Sequence, residues 1–214
     1  KKPRLRVCLG LVDEQKDKGP MSDRRLRALI RASSELVRHL TEETVIQKII
    51  HEATDVLEAE SCAVILLDEF SDELFFYSAT GSHEDALRRI RMPRDVGIVG
   101  HVLATSEPVL VEDAGNEPRH YAGVDKETGL TTRSLICAPL KLGSTVIGAV
   151  EAINKRHATV FDDMDLQLLI AFSNFAAVAV NNARTFRRCQ VEARAFQVSA
   201  DRGQVFLGES PAIE

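Results

Sequence analysis

The stretch "NKRHATVFDDMDLQLL", residues 154–169, joins the end of an apolar run to the acidic start of a long helical pattern. Acidic residues in the first turn of a helix interact favourably with the helix dipole. Phe161 and Leu169 mark the buried face of this helix, and Asp165 follows Phe161 by four residues, so Asp165 faces the same side. We therefore predict an ion pair between Lys155 and Asp165 that holds the helix against the preceding strand.

The apolar run "VIGAVEAI", residues 146–153, has the composition of a buried strand. Because side chains alternate between the two faces of a strand, Glu151 shares a face with apolar neighbours. A buried carboxylate needs a partner or a ligand donor, whereas a carboxylate at a strand edge can reach water, and both interpretations stay open. The predicted faces are Ile147, Ala149, Glu151 and Ile153 on one side, and Gly148, Val150 and Ala152 on the other.

Helices and strands are predicted in an order that favours an α+β fold with a single antiparallel sheet. Two amphipathic helices come first, opened by caps at Ser22 and Thr41. Strands follow, with a short helix at "GIVGHVLATSE" and an ambiguous segment "HEDALRRIRMP", and one long helix covers about 162–200. The expected buried positions are Leu26, Leu29, Ser33, Leu36 and Leu40 on the first helix, and Val45, Ile49, Ala53, Val56 and Leu57 on the second.

Bulk composition excludes several classes of protein. The chain has 214 residues and a net charge of −5, which argues against a dedicated nucleic-acid surface. No apolar stretch of membrane-spanning length and no signal peptide is recognisable, so we expect a cytoplasmic protein without a membrane partner. The four cysteines form no C-x-x-C pair and are interpreted as reduced; they are Cys8, Cys62, Cys137 and Cys189. His101 and His120 are isolated, so no metal site is predicted.

A long polar segment, residues 114–133, separates two predicted strands. Segments of this length inside compact domains are usually functional, often as lids, and residues 114–133 are called the lid below. Asp125, Thr128 and Thr132 could hydrogen-bond a polar ligand there, and the two threonines share a face if the segment is helical. The alternative is ordinary turn chemistry. The "GIVG" stretch at 97–100 would add backbone N–H groups at a helix start, where anions can bind.

The last helix carries a heptad-like seam, which is typical of coiled coils. Its first half is expected to cover the domain's own sheet up to about Val180. Beyond Arg184 no sheet remains to be covered, and a parallel homodimer through the terminal helices is the favoured explanation. The seam consists of Phe172, Phe175, Ala179, Asn182, Phe186, Cys189, Ala193, Phe196 and Ala200.

Four stretches together resemble the GAF domains of cyclic-nucleotide phosphodiesterases and bacterial signalling proteins: "GIVGHVLATSEPVLVEDA", "YAGVDKETGLTTRSLICAPL", "VIGAVEAINK" and "FDDMDL". The family motif is matched at Asn154, Lys155, Phe161 and Asp165, with Leu166 in place of the expected Glu. The resemblance covers about residues 25–186 and implies a GAF fold of about six strands flanked by helices, with a structural Lys155–Asp165 bridge. It also implies a cyclic nucleotide or another small metabolite as effector, contacted by Ile98, Val99, Asp125, Thr128, Thr132 and Glu151.

Some positions depart from the phosphodiesterase pattern. Ala63 replaces an expected Ser, and Ala79-Thr80 replaces an expected Phe-Asp. These departures keep open a ligand-free dimerisation scaffold. A GAF-like methionine sulfoxide reductase or a bilin photoreceptor would need a cysteine in the lid, and the lid has none.

The tail "FLGESPAIE", residues 206–214, resembles the opening of the ATPase domain of sigma-54-dependent transcriptional activators. We therefore expect four parts: a linker or end of a preceding domain at 1–21, a GAF domain at 22–186, a coiled-coil helix at 187–202, and the start of an ATPase domain at 203–214. This resemblance implies a bacterial regulator whose ATPase acts on the sigma factor of RNA polymerase. No phosphate-binding G-x-x-x-x-G-K-[ST] loop is present, so the piece itself is not expected to be an enzyme.

Overall fold

The computed structural model describes residues 23–36, 42–158 and 160–204, with side chains from 43 onward in the second range and up to 194 in the third. The expected caps Ser22 and Thr41 lie outside the described residues. The expected linker at 1–21 and the "FLGESPAIE" tail lie outside them as well. For the seam residues Phe196 and Ala200, only the helical backbone is described.

The elements follow the order helix, strand and helix that the hydrophobic pattern predicts. The helices are α1 (Asp23–Glu35), α2 (Glu42–Leu57), α3 (Glu84–Leu87), α4 (Gly97–Thr105), α5 (Ala122–Thr128) and α6 (Asp163–Gln204). The strands are β1 (Ala59–Asp68), β2 (Glu73–Ala79), β3 (Arg91–Pro93), β4 (Val109–Val111), β5 (Leu135–Leu142) and β6 (Thr145–Lys155). The segment "HEDALRRIRMP" contains both α3 and β3, which explains why its pattern was ambiguous.

The six strands form one antiparallel sheet in the order β3-β2-β1-β6-β5-β4. The predicted α+β class with a single antiparallel sheet is therefore confirmed. Strand β6 lies between β1 and β5, so both of its edges are paired. Glu151 is opposite Ala63 of β1 and Cys137 of β5 in the strand register.

Helices α2 and α6 cover one face of the sheet, α1 packs against these two helices, and together they enclose the larger apolar cluster. The predicted inner face of α2 is confirmed, since all five of its expected residues are buried. The expected face of α1 is only partly right: Leu29 and Leu36 are partly buried against the cluster, and Leu40 lies outside the described residues. Ala28 and Ala32 are its buried residues, and Leu26 is 45% exposed, because only small side chains fit where α1 lies against α2.

The opposite face of the sheet carries α3, α4, α5 and the segment between them, around a second apolar cluster. Ala149, Glu151 and Ile153 point to this side, whereas Val150 and Ala152 join the first cluster. The predicted alternation fails at Ile147, which belongs to the first cluster. The register shifts between Leu140 and Lys141, and such a bulge reverses the alternation beyond it.

Helix α6 starts on the sheet and continues beyond it. Among the described residues, its part Asp163–Arg194 is the one helix long and apolar enough to cross a membrane by length and composition. The most apolar window of that part is 56% buried inside the domain. The apolar character of the helix therefore fits a core helix.

Candidate ligand-binding site

A cavity of about 60 Å³ lies between the second face of the sheet and the elements that cover it. Its floor includes Ala63, Glu151 and Ile153, and its roof includes Ile98 and Val99 at the start of α4. The remaining wall residues are Ser61, Ile65, Phe76, Leu87, Met92, Val96, Gly97, His120, Tyr121, Val124, Asp125, Leu130, Thr132 and Leu135. An apolar cavity with a few polar groups is the usual form of a small-molecule site.

Glu151 is the carboxyl group in the floor of this cavity. It is partly buried, and in the described part of the chain its side chain has no hydrogen-bond or ion-pair partner. Burial, and then the negative charge of Asp125, raise the pKa of Glu151 to about 7. Because β6 is a central strand, Glu151 does not lie at a strand edge, and its side chain is partly exposed. An unpaired acid in an apolar wall is available to a ligand.

Asp125 and Thr132 lie together in the cavity wall and are joined by two hydrogen bonds. The Thr132 N–H donates to Asp125 Oδ2 at 2.9 Å, and Thr132 Oγ1 donates to Asp125 Oδ1 at 2.8 Å. His120 Nε2 lies 3.4 Å from Asp125 Oδ2. Asp125 thus ties the end of the lid to α5.

Thr128 is not among the residues that line the cavity. Its hydroxyl donates to the backbone oxygen of Val124 at 2.7 Å, a bond within its own helix. Helix α5 ends at Thr128, so the expected helical face shared by Thr128 and Thr132 does not form. Gly129 stops the helix with φ of +73°, a left-handed conformation that glycine adopts readily.

Tyr121 forms a side wall that the sequence analysis did not identify. Its ring lies over Gly123, where a Cβ atom would be 2.4 Å from Tyr121 Cζ. It also lies beside Gly97, whose φ of +77° starts α4. Tyr121 is 42% exposed and lines both this cavity and a neighbouring outer cleft. In the sequence, the Tyr-x-Gly spacing of Tyr121 and Gly123 was the signal that could have indicated this contact.

A cluster of charges joins α1 and α6 to the end of β6. Lys155 Nζ and Arg25 both form ion pairs with Asp165, whose side chain is fully buried; the Arg25 distance is 3.0 Å. The Asp162 N–H donates to Asp165 Oδ2, and the Asp165 N–H donates to Asp162 Oδ1. This reciprocal pair is a capping box, here with Asp at both positions. Asp165 therefore fixes the start of α6 as well as its distance from the sheet.

Asn154 ties the end of the lid to β6. Its Nδ2 donates to Glu60 Oε2 at 2.7 Å and to the Thr131 oxygen at 2.9 Å, and its Oδ1 accepts from the Arg133 N–H at 2.7 Å. Arg133 also pairs with Glu60 at 2.6 Å, which lowers the pKa of Glu60. Asn154 is buried and has a φ of +54°. The lid, β1 and β6 thus meet at one amide side chain.

The family model of the GAF domain matches residues 41–180, about two thirds of the chain. The chain belongs to the GAF family. The described fold agrees with a GAF domain from a phosphoenolpyruvate-protein phosphotransferase of Coxiella burnetii, with a TM-score of 0.70 and 16% identity. That comparison covers 78% of this chain and 99% of the other.

Two curated relatives are cyclic-nucleotide phosphodiesterases. The GAF domain is 32% identical over 126 residues to the dual 3',5'-cyclic-AMP and -GMP phosphodiesterase 11 of Drosophila melanogaster, which covers 58% of this chain and 9% of that protein. It is 27% identical over 168 residues to the probable 3',5'-cyclic phosphodiesterase pde-5 of Caenorhabditis elegans, covering 74% and 23%. The chain therefore spans less than a quarter of either relative.

The structure shows where the residues that depart from the phosphodiesterase pattern lie in this GAF domain. Ala63 lines the cavity floor, and Ala79 packs opposite it in the sheet. Thr80 is turned away from the cavity, because its hydroxyl bonds with Thr54 and accepts from the Cys62 N–H. The aromatic rings in the cavity wall are instead those of Phe76 and Tyr121.

The cysteines of the GAF domain are poorly suited to redox catalysis. Burial raises the pKa of Cys62 to about 12 and that of Cys137 well above its ordinary value. Neither lines the cavity, and a neutral thiol is a weak nucleophile. Among the described residues, no group of three or more His, Cys, Asp and Glu side chains is placed to hold a metal ion.

Proposed function

We propose that this GAF domain senses a small-molecule effector in the cavity below α4 and transmits its presence to α6. The observation that carries the proposal is Glu151, an unpaired carboxyl group in the wall of a mostly apolar cavity. Ile98, Val99, Asp125 and Thr132 line the same cavity and supply the remaining contacts. A dimerisation scaffold without a ligand does not need a carboxyl group in this cavity, whereas a ligand site can use one.

A continuous set of contacts leads from the cavity to α6. Thr132 lies in the cavity wall, and the next residue, Arg133, donates its N–H to Asn154. Lys155 follows Asn154 directly and pairs with Asp165 at the start of α6. An effector that stabilises one of two positions of the lid would therefore also stabilise the matching position of α6, so that this conformation becomes more populated.

The cavity assignment predicts different results for two threonines of the same lid. Thr132→Val keeps the side-chain shape but removes a hydroxyl from the cavity wall, so effector binding is expected to weaken about tenfold. Thr128→Val is the matched control, because its hydroxyl bonds only within α5 and the adjoining turn. Thermal-shift screening against cyclic AMP, cyclic GMP and a metabolite panel finds the effector, and calorimetry on both variants measures the change. Equal affinities for wild type and Thr132→Val would contradict the assignment.

We also propose that the domain works as a parallel homodimer through its terminal helices. Phe172 and Ala179 of the predicted seam are buried in their own domain and cannot contribute. Farther along α6, Phe186 is 61% exposed, and Cys189 is exposed on the same side of the helix. The exposed Leu26 and Ile30 of α1 could extend this surface.

A charge placed on the seam is expected to disrupt the dimer. Phe186→Glu should weaken self-association at least about tenfold, because a carboxylate would be buried between the two helices. Val191→Glu is the control: Val191 is equally exposed, but five residues farther along it lies about 140° around the helix. Sedimentation equilibrium of the 214-residue chain measures both. If the two variants dimerise alike, the contact lies elsewhere.

The effector signal is proposed to control a sigma-54-activating ATPase in a bacterial, cytoplasmic transcription regulator. The support is the resemblance of residues 206–214 to the start of such ATPase domains, placed directly after α6. Effector-dependent ATPase activity of the full-length protein tests this. The alternative is a GAF domain that binds a cyclic nucleotide within another signalling enzyme, which the two phosphodiesterase relatives favour.

A further inference from the structure

The charge of the cavity wall limits the chemistry of its ligand. Among the described residues that line it, two carry carboxyl groups, Glu151 and Asp125, and none is Lys or Arg. Asp125 is already engaged by Thr132 and lies beside His120. Glu151 is therefore the group that remains to pair with a ligand. Because no Lys or Arg is among the described residues of the wall, an anionic ligand group would find no such partner there.

The volume of the cavity and its apolar lining limit what the rest of the ligand can be. A volume of about 60 Å³ has room for only a few water molecules. Most of the residues that line the cavity, such as Ile98, Val99 and Phe76, are apolar. The closed cavity therefore suits a short apolar chain with one polar end group, whereas a nucleotide would need the lid to open.

We infer that the site takes a small ligand with a positively charged N–H group, such as a primary ammonium, that donates to Glu151 while its apolar body packs against α4. This inference rests on the sensor function proposed above and names its ligand class. A charge-assisted bond to a carboxylate inside an apolar wall is stronger than a neutral one. It would also satisfy the one acid in the wall that lacks a partner.

The pH dependence of binding follows from the same site. Burial and Asp125 place the pKa of Glu151 at about 7, so the proton on Glu151 must leave before a cation pairs with it. Affinity for a cation is then expected to rise from pH 6 to pH 8. The other titratable groups near Glu151 are Asp125 of α5, His120 and Tyr121 before α5, and Cys137 of β5. All of them remain in Glu151→Gln, so that variant reports their contribution.

Three probes of similar size separate charge from shape: n-butylammonium, butan-1-ol and butyrate. Titrations of the wild-type chain are followed by NMR shifts of the Gly97 and Thr132 backbone N–H groups. At pH 8, n-butylammonium is expected to bind at least about tenfold more tightly than butyrate, and more tightly than at pH 6. In Glu151→Gln this preference should shrink to about twofold, and the rise with pH should disappear.

Other results overturn the inference. Butyrate or butan-1-ol binding as tightly as n-butylammonium would do so, as would a cation preference that survives in Glu151→Gln. If all three probes leave the Gly97 and Thr132 signals unchanged, the inference also fails. Its failure is distinguishable from that of the sensor proposal, because an anionic effector weakened by Thr132→Val would keep the sensor role and reject the cationic ligand. The wild-type pH comparison stands even if the variant does not fold.

Discussion

Replacing Asp165 with Ala is expected to destabilise the domain by about 3–5 kcal/mol, the usual loss when one member of a buried ion pair is removed. The Asp165 side chain is fully buried, and Lys155 is only 13% exposed, so solvent does not replace the lost partner. The change also leaves Lys155 and Arg25 as two cations on the same site and removes the capping box with Asp162. Urea denaturation followed by circular dichroism measures the loss.

The control for this prediction lies two residues earlier on the same helix. Asp163 shares the first turn of α6 and the dipole effect, but it is exposed, so Asp163→Ala should cost less than about 1 kcal/mol. Lys155→Ala is expected to fall between the two, because Arg25 still pairs with Asp165. Equal losses for Asp163→Ala and Asp165→Ala would show that the dipole, rather than the ion pair, accounts for the stability.

Local periodicity was enough to predict the sheet and one side of the site. The alternation along β6 placed Glu151 with Ala149 on the cavity face, since both neighbouring strands pair with β6 in regular register there. The same reasoning failed at Ile147, because a bulge is set by the packing of two strands and has no signature in one of them. It failed in part on α1, at Leu26, for a similar reason. The choice of buried face there depends on which side chains fit against α2.

Contacts between distant parts of the chain could not be predicted in this way. Glu60 and Asn154 are 94 residues apart, and only the pairing of β1 with β6 brings their side chains together. Arg25 reaches Asp165 across 140 residues. The motif indicated that Asn154 and Lys155 matter, but it did not show that the two adjacent side chains hold different elements. One binds the lid and the other binds α6.

This division of roles makes Asn154 the second residue whose replacement should have a large effect. Asn154→Ala removes the bonds to Glu60, Thr131 and Arg133, each with a net contribution of about 1 kcal/mol. It also places Ala in a left-handed conformation, with a φ of +54°, which costs about 1 kcal/mol more. The expected total is about 3–4 kcal/mol, which urea denaturation can measure.

Two further substitutions at Asn154 separate the backbone effect from the lid effect. Asn154→Gly tolerates the left-handed conformation, so it should recover about 1 kcal/mol relative to Ala while still releasing the lid. Asn154→Asp keeps an acceptor for the Arg133 N–H but sets a carboxylate against Glu60, so its loss should ease as the pH falls and the acids take up protons. Hydrogen exchange of residues 120–134 is the second measurement. All three variants should speed exchange there, because Nδ2 no longer holds the Thr131 oxygen, whereas Asp163→Ala should not. If Asn154→Gly left that exchange unchanged, the lid would be held by the Asp125–Thr132 bonds alone, and the route from the cavity to α6 would not pass through Asn154.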